Sequence, residues 1–383
     1  MKKKNIAALL PVLFGFYIMG FCDIVGFSTS YVKEEFALSE TLAGLIPSMV
    51  FLWFLLLSVP VAMGMNRLGR KKTVLLGNLV TFIGMMVPIA HFSFTSCLIA
   101  FALLGIGNTI LQVSLNPLLT NVVDGKALSS SLTAGQVIKA VSSFCGPFIA
   151  TFAASYMGDW KMMFLIFAGV SVLSAIWLMC TPIEEGAMEK SSNIGEVFSV
   201  LKDKKILWFF LGIIAVVGVD VGVNTLAPKV LTERCGLDLA HAGYGSSVYF
   251  FCRVLGAFLG TFLLTKMSDK LYYLIHAVLG IAVLFFMMSA QQQTLLVVLL
   301  GLAGYAFSSI FSVIYSQALK HRPDFANEIS GLMITGVFGG AVVPPLMGVA
   351  ADLVGSQVGS LLVITVFAIY LLVCGFTLQS DKR

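Results

Sequence analysis

Four ionisable residues, Asp23, Lys139, Asp220 and Arg253, fall inside long apolar runs. A charge at the centre of a bilayer costs about 2.5–3.5 kcal/mol even on a lenient insertion scale, so such groups pair or line water-filled paths for ions and substrates. The chemistry open to them is proton exchange and ligand binding. Asp23 and Asp220 can take up and release a proton. Lys139 can hold an anion or neutralise an acid. Arg253 stays charged, so it can pair or bind but cannot itself carry the proton.

Polar side chains repeat at helical spacing around these four. Asn108, Gln112 and Asn116 recur every fourth residue, and Gln136, Lys139 and Ser143 follow at i, i+3 and i+7. Asp220 with Asn224, Tyr249 with Arg253, and Ser308 with Ser312 and Tyr315 form further stripes. Residues three and four apart share one helix face, so each stripe marks a polar face in apolar sequence. The bland reading is interhelical hydrogen bonding with no part in transport, and it suits the isolated serines. Three amides on one face are costly to bury without water or a polar ligand, which favours a binding role for Asn108, Gln112 and Asn116. For the four charged residues the bland reading is a structural ion pair, and it weighs most for Arg253. Amides and carboxylates match the hydroxyls of a polar ligand. Tyr249, Tyr305 and Trp53 are candidates to stack on a ligand's apolar face.

Other chemistries lack their motifs. There is no G-x-x-x-x-G-K-[ST] loop for nucleotide phosphates, no H-E-x-x-H and no G-x-S-x-G, so ATP-driven transport, a metalloprotease and an esterase are not expected. The seven cysteines are odd in number, mostly within apolar runs, and show no metal-ligand spacing. No enzyme activity, cofactor or metal is expected.

The elements that place these residues are spanning helices. The 383 residues are 58% hydrophobic and 11% charged, with a mean hydropathy of +0.96. A run of about 20 apolar residues crosses a bilayer as a helix. Twelve such runs are predicted, at 6–31, 42–64, 73–91, 96–119, 129–155, 161–180, 206–230, 243–265, 271–289, 294–319, 328–351 and 358–378. The predicted fold is an all-α polytopic membrane protein of twelve transmembrane helices. The polar stretch 182–205 divides it into six-helix bundles at 1–181 and 206–383. Within that stretch Ile194, Val197, Phe198 and Leu201 share a face beside Lys202, Lys204 and Lys205, which suits an amphipathic helix on the membrane surface. A weak repeat at an offset near 200 pairs LAGLIPS (42–48) with AHAGYGSS (240–247). Two such pseudo-symmetric halves place a binding site at the midplane.

Charge sets the orientation. With an inner N-terminus, only Lys33, Lys161, Lys229 and Arg234 lie at outer ends, while Lys2, Lys3, Lys4, Arg67, Arg70, Lys71, Lys72 and most other cations are inside. Short Lys/Arg-rich loops stay cytoplasmic, so both termini are expected there. The start MKKKNIAALLPVLFGF imitates a signal peptide but runs on past Asp23 with no small-residue cleavage site, and is read as an uncleaved first helix. The net charge of +5 is spread over loops and does not suggest nucleic acid.

The loop Asn66-Arg67-Leu68-Gly69-Arg70-Lys71-Lys72 resembles the D-R-x-G-R-[RK] loop of the major facilitator superfamily, with Asn66 in place of Asp. Other segments resemble the fucose–galactose–glucose proton symporter family within it. They are GIGNTILQVSLNP (105–117), LTAGQVIKAVSSFCGP (132–147), YFFCRVLG (249–256), FSSIFSVIYSQAL (307–319) and SGLMITGVFGGAVVPPLMGVAAD (330–352). The resemblance implies the major facilitator fold, a sugar site and proton coupling. The family's helix-one Asp, tied to the sugar site and coupling, falls on Asp23. Its helix-four Glu falls on Gln112, which cannot titrate, and its Asn-Pro pair on Asn116-Pro117. Its helix-five Gln is Gln136, and the Asn three residues on is Lys139. A helix-seven Glu of many members falls on Asp220. Asn66, Arg67, Gly69, Arg70 and Arg253 take structural or gating places.

The expectation is a proton-coupled monosaccharide symporter of the bacterial inner membrane, acting as a monomer in the lipid bilayer by alternating access. Asp23, Asn108, Gln112, Asn116, Gln136, Lys139, Asp220, Asn224, Tyr249 and Tyr315 would bind substrate, and Asp23 and Asp220 would couple the proton. One lost acid and one gained base move the site toward positive charge. An acidic-sugar or organic-anion carrier using Lys139 and Arg253 is therefore the alternative. A drug exporter and a non-transporting membrane sensor are more distant readings.

Overall fold

The computed structural model describes residues 8–123, 125–185 and 193–379. The terminal cations Lys2, Lys3, Lys4, Lys382 and Arg383, counted toward the charge bias, lie outside the described residues. Among the described residues there is no strand, and twelve helices are long and apolar enough to cross a membrane. They are α1 (Leu9–Glu35), α2 (Glu40–Leu68), α3 (Arg70–Ala90), α4 (Phe94–Leu119), α5 (Ala134–Tyr156), α6 (Met162–Cys180), α7 (Lys204–Cys235), α8 (Leu239–Leu264), α9 (Asp269–Ser289), α10 (Gln293–His321), α11 (Glu328–Val354) and α12 (Val358–Phe376). Each predicted run has its counterpart.

Local chemistry sets the ends. Ser93 and Ser96 form a reciprocal capping box that opens α4. Asp203 accepts from the Lys205 and Ile206 amides and opens α7, while Gly236 in the left-handed region closes it. Helix N-termini leave four amides without intrahelical partners, and such caps satisfy them. Side chains such as Phe258, Phe262, Phe285, Phe286 and Val366 stay exposed, as lipid-facing residues do when no lipid surrounds them.

Among the described residues four spans are interrupted, α8 by a turn at Gly243 near its start and the other three farther along. α1 changes to a 3-10 turn at Gly20–Ile24, α10 breaks at Ser308 and Ser309, and α11 passes through a 3-10 turn at Gly336–Phe338. Irregular backbone at membrane depth persists only where protein or a polar cavity satisfies the freed groups. Broken spans are also where transporters place their sites.

Two compact units divide the chain: residues 1–24 with 56–193, and 25–55 with 194–383. The first holds the start of α1, the end of α2 and α3–α6. The second holds the rest of α1 and α2, the linker segment from Ile194 onward, and α7–α12. The linker helix Ile194–Ser199 continues as a 3-10 turn to Lys202. Its packed residues are Val197 and Val200, with Val197 against Gly331 of α11. Ile194 is exposed.

Candidate functional site

In the first unit the break of α1 packs directly on α5. A Cβ on Gly20 would sit 2.5 Å from the Lys139 carbonyl and from Ser142 Cβ, so only glycine allows this approach. The approach brings Asp23 to Ser143, whose hydroxyl donates to the carboxylate at 2.6 Å and also lies 3.1 Å from the Lys139 carbonyl. Cys22 Sγ lies 3.4 Å from the other carboxylate oxygen. Lys139 is half-buried and Gln136, one turn away, is exposed.

The Met19 carbonyl lies at the break, where Cys22 Sγ is 3.2 Å away. Asn108 Nδ2 donates to it at 2.6 Å, and the residue is buried on α4. Asn108 therefore holds α4 to the interruption in α1. Its stripe partners Gln112 and Asn116 are half-buried. Asn116 Oδ1 is buried with no hydrogen-bond partner among the described residues, and a buried amide oxygen of that kind suits a polar ligand.

The loop between α2 and α3 is tied at several points. Gly69 has φ +94°, a conformation that other residues adopt only with strain. Arg70 Nη1 donates to the Pro117 carbonyl at 3.1 Å and to Asn121 at 2.7 Å, so it braces the end of α4. Glu185, past α6, accepts the Arg70 and Lys71 amides at 2.5 and 2.9 Å and caps α3. Arg67 is exposed and Asn66 half-buried.

In the second unit the stripes on α7 and α8 face one another. The Asp220 carboxylate pairs with Arg253 Nη2 at 2.9 Å and accepts the Tyr249 hydroxyl in a short hydrogen bond. Tyr249 is fully buried, which withdraws it as a stacking surface for a sugar. Tyr305 is half-buried and meets His276 in a tilted ring contact, while Tyr272 stacks on the same imidazole. Trp53 keeps a buried indole N–H with no partner among the described residues. Asn224 packs its amide against Gly26, and Ser246 donates to its carbonyl at 3.1 Å. Tyr315 lies past the α10 break and stacks on Phe311.

A second ionic group in this unit lies at the start of α2. Glu40 accepts Lys33 and Lys229 at 2.5 Å each and the Gln357 amide at 2.9 Å. Asp352 of α11 caps α2 through the Glu40 and Thr41 amides and the Thr41 hydroxyl. Thus α1, α2, α7, α11 and the start of α12 are knitted together at one end, which is why residues 25–55 go with the C-terminal helices. Sequence reasoning did not single out Glu40, Asp352 or Glu185. Acids at span ends are common, and only the tertiary pairing distinguishes these.

Twelve apolar helices with buried polar groups at helix interruptions define a polytopic membrane transporter. The family model for the Major Facilitator Superfamily matches residues 9–342, and the chain belongs to that superfamily. It is a transporter and not an enzyme. A glucose/galactose transporter of Brucella abortus is 24% identical, over 94% of this chain and 92% of the relative. The L-fucose-proton symporter of Escherichia coli is 20% identical over 85% of this chain and 82% of its own. Among solved structures, the major facilitator transporter FucP in its outward conformation superposes with a TM-score of 0.70 at 17% identity, covering 99% of this chain and all of that one. A point mutant of the nucleoside transporter NupG gives 0.80 at 13% identity, covering 97% and 98%. These structures have the same fold.

Proposed function

We propose that this chain is a proton-coupled monosaccharide symporter of the bacterial inner membrane, with both termini cytoplasmic. The observation that carries the reading is Asp23. It is a carboxylate in the interruption of a spanning helix, hydrogen-bonded to Ser143. A titratable acid placed where the backbone is irregular suits a site that exchanges a proton for bound ligand. The relatives named as glucose/galactose and fucose transporters support a monosaccharide as the substrate class. Gln112 cannot titrate, so coupling falls to Asp23 and Asp220. The bundles 1–181 and 206–383 move during alternating access, with 182–205 as the tether. Asn116, Gln136, Lys139 and Asn224 offer donors and acceptors to sugar hydroxyls.

A second reading, an acidic-sugar or organic-anion carrier, rests on Lys139. Its other cation, Arg253, is held by Asp220, so the anion reading depends on Lys139 alone. The test is counterflow into proteoliposomes with neutral hexoses and hexuronates at two pH values. Hexose exchange supports the symporter. Exchange of hexuronates alone, lost in Lys139→Met, transfers the assignment to the second reading.

A further inference from the structure

A cavity of about 220 Å³ lies beside the N-terminus of α7, lined by Ser199, Val200, Lys202, Asp203, Ile206, Arg322 and Phe325. It is smaller than the roughly 300–1,000 Å³ of drug-sized ligand sites. It still holds several water volumes of about 30 Å³ each. Its walls offer two cations. Lys202 is exposed. Arg322 lies with its guanidinium 4.5 Å from the Phe325 ring and makes a long 3.5 Å contact to Asp203. An Arg carries five N–H donors in a planar fork suited to phosphate. That position leaves donors for a ligand.

The one acid in the wall is already engaged. Asp203 accepts two backbone amides at the start of α7 and lies 3.1 Å from His321 Nε2. The cavity therefore presents positive charge. Its depth follows from Trp208, which stacks on Tyr370 with ring centroids 5.4 Å apart and planes within 2°. Trp and Tyr gather at the level of lipid headgroups. Asp203 precedes Trp208 by five residues, about 7.5 Å along a helix axis at 1.5 Å per residue. The cavity thus sits just beyond the aromatic level, where headgroup phosphates lie.

We propose that this cavity binds the phosphate of an anionic phospholipid headgroup through Lys202 and Arg322. Basic pockets between spanning helices bind such headgroups by direct charge and hydrogen bonding. Bound there, a lipid would bridge the linker, the start of α7 and the end of α10.

The test is a titration of the purified full-length protein in detergent with phosphatidylglycerol, with phosphatidylcholine and with inorganic phosphate, read by native mass spectrometry and thermal shift. Phosphatidylglycerol should bind at least five times more weakly to Lys202→Gln/Arg322→Gln than to the wild type. Lys266→Gln, which removes a cation elsewhere, should bind as the wild type does. The single Lys202→Gln alters only an exposed side chain and should show a smaller loss in the same direction. Inorganic phosphate that displaces phosphatidylglycerol from the wild type but not from the double variant supports recognition through the phosphate, whereas binding of inorganic phosphate without any binding of phosphatidylglycerol overturns the lipid assignment. Equal binding by wild type and double variant, or equal affinity for phosphatidylcholine, overturns the proposal.

Discussion

Asp220 and Arg253 form a pair that neither residue's own position could reveal. Each sits in a largely apolar stretch of its helix, and each carboxylate or guanidinium left alone there would be a desolvated charge. Removing one partner of a buried pair typically costs about 3–5 kcal/mol, whereas replacing both can be nearly neutral. Both side chains keep some exposure, so the lower part of that range is expected. Arg253→Met should lower thermal stability clearly, and Asp220→Leu/Arg253→Met should recover much of the loss. Simple additivity of the two single changes would contradict the pairing. Tyr249→Phe removes only the phenol hydrogen bond to Asp220 and should cost about 1.5–3 kcal/mol, the range for bonds to charged groups. Each stripe was legible in the sequence, because spacing of four fixes a helix face. That the faces of α7 and α8 meet was not, since helix neighbours are set by packing and not by period.

At the scale of elements, caps and interruptions decide where the polar groups stand. The twelve spans were readable from run length alone. The α1 interruption was not, because Gly20 and Asp23 lie in a continuous apolar run and the close packing of α5 on Gly20 is a tertiary contact. Gly20→Ala should place a methyl group against the Lys139 carbonyl. The expected result is loss of substrate binding in a protein that still inserts; unchanged affinity would contradict the close approach. Glu40 was equally hidden, being one more acid at a span end. Glu40→Gln should destabilise the protein far more than Lys33→Gln, because it leaves Lys229 buried without its carboxylate. Thermal unfolding of the two variants checks this. Asp203 gives a pH test. Burial alone would raise its carboxyl, but the Lys205 and Ile206 amides and His321 outweigh burial and hold it below the ordinary value. A depressed folded pKa adds stability above the unfolded value of about 3.9, and that stability is lost as pH falls through the folded value. The margin of wild type over Asp203→Asn should therefore be full near pH 7 and close as the pH falls below the unfolded value of about 3.9. A margin independent of pH would contradict it.

For the whole molecule, the central claim is that a proton enters and leaves with the sugar, and that Asp23 is the group that couples them. The fold sets the chain among major facilitator transporters, but a shared fold does not fix what is carried or what drives it. On the proposed reading Gln112 cannot titrate, which leaves Asp23 and Asp220 as the acids for coupling, and Asp220 pairs with Arg253 and accepts the Tyr249 hydroxyl. Asp23 keeps a carboxylate at a helix interruption, bonded to a hydroxyl that can follow a change in its protonation. The most direct measurement is sugar uptake by proteoliposomes under an imposed inward proton gradient, compared with exchange at equal pH, in wild type and Asp23→Asn. The wild type should concentrate a neutral hexose above its external level. Asp23→Asn should exchange sugar across the membrane but never concentrate it. Concentrative, gradient-driven uptake by Asp23→Asn would contradict the account.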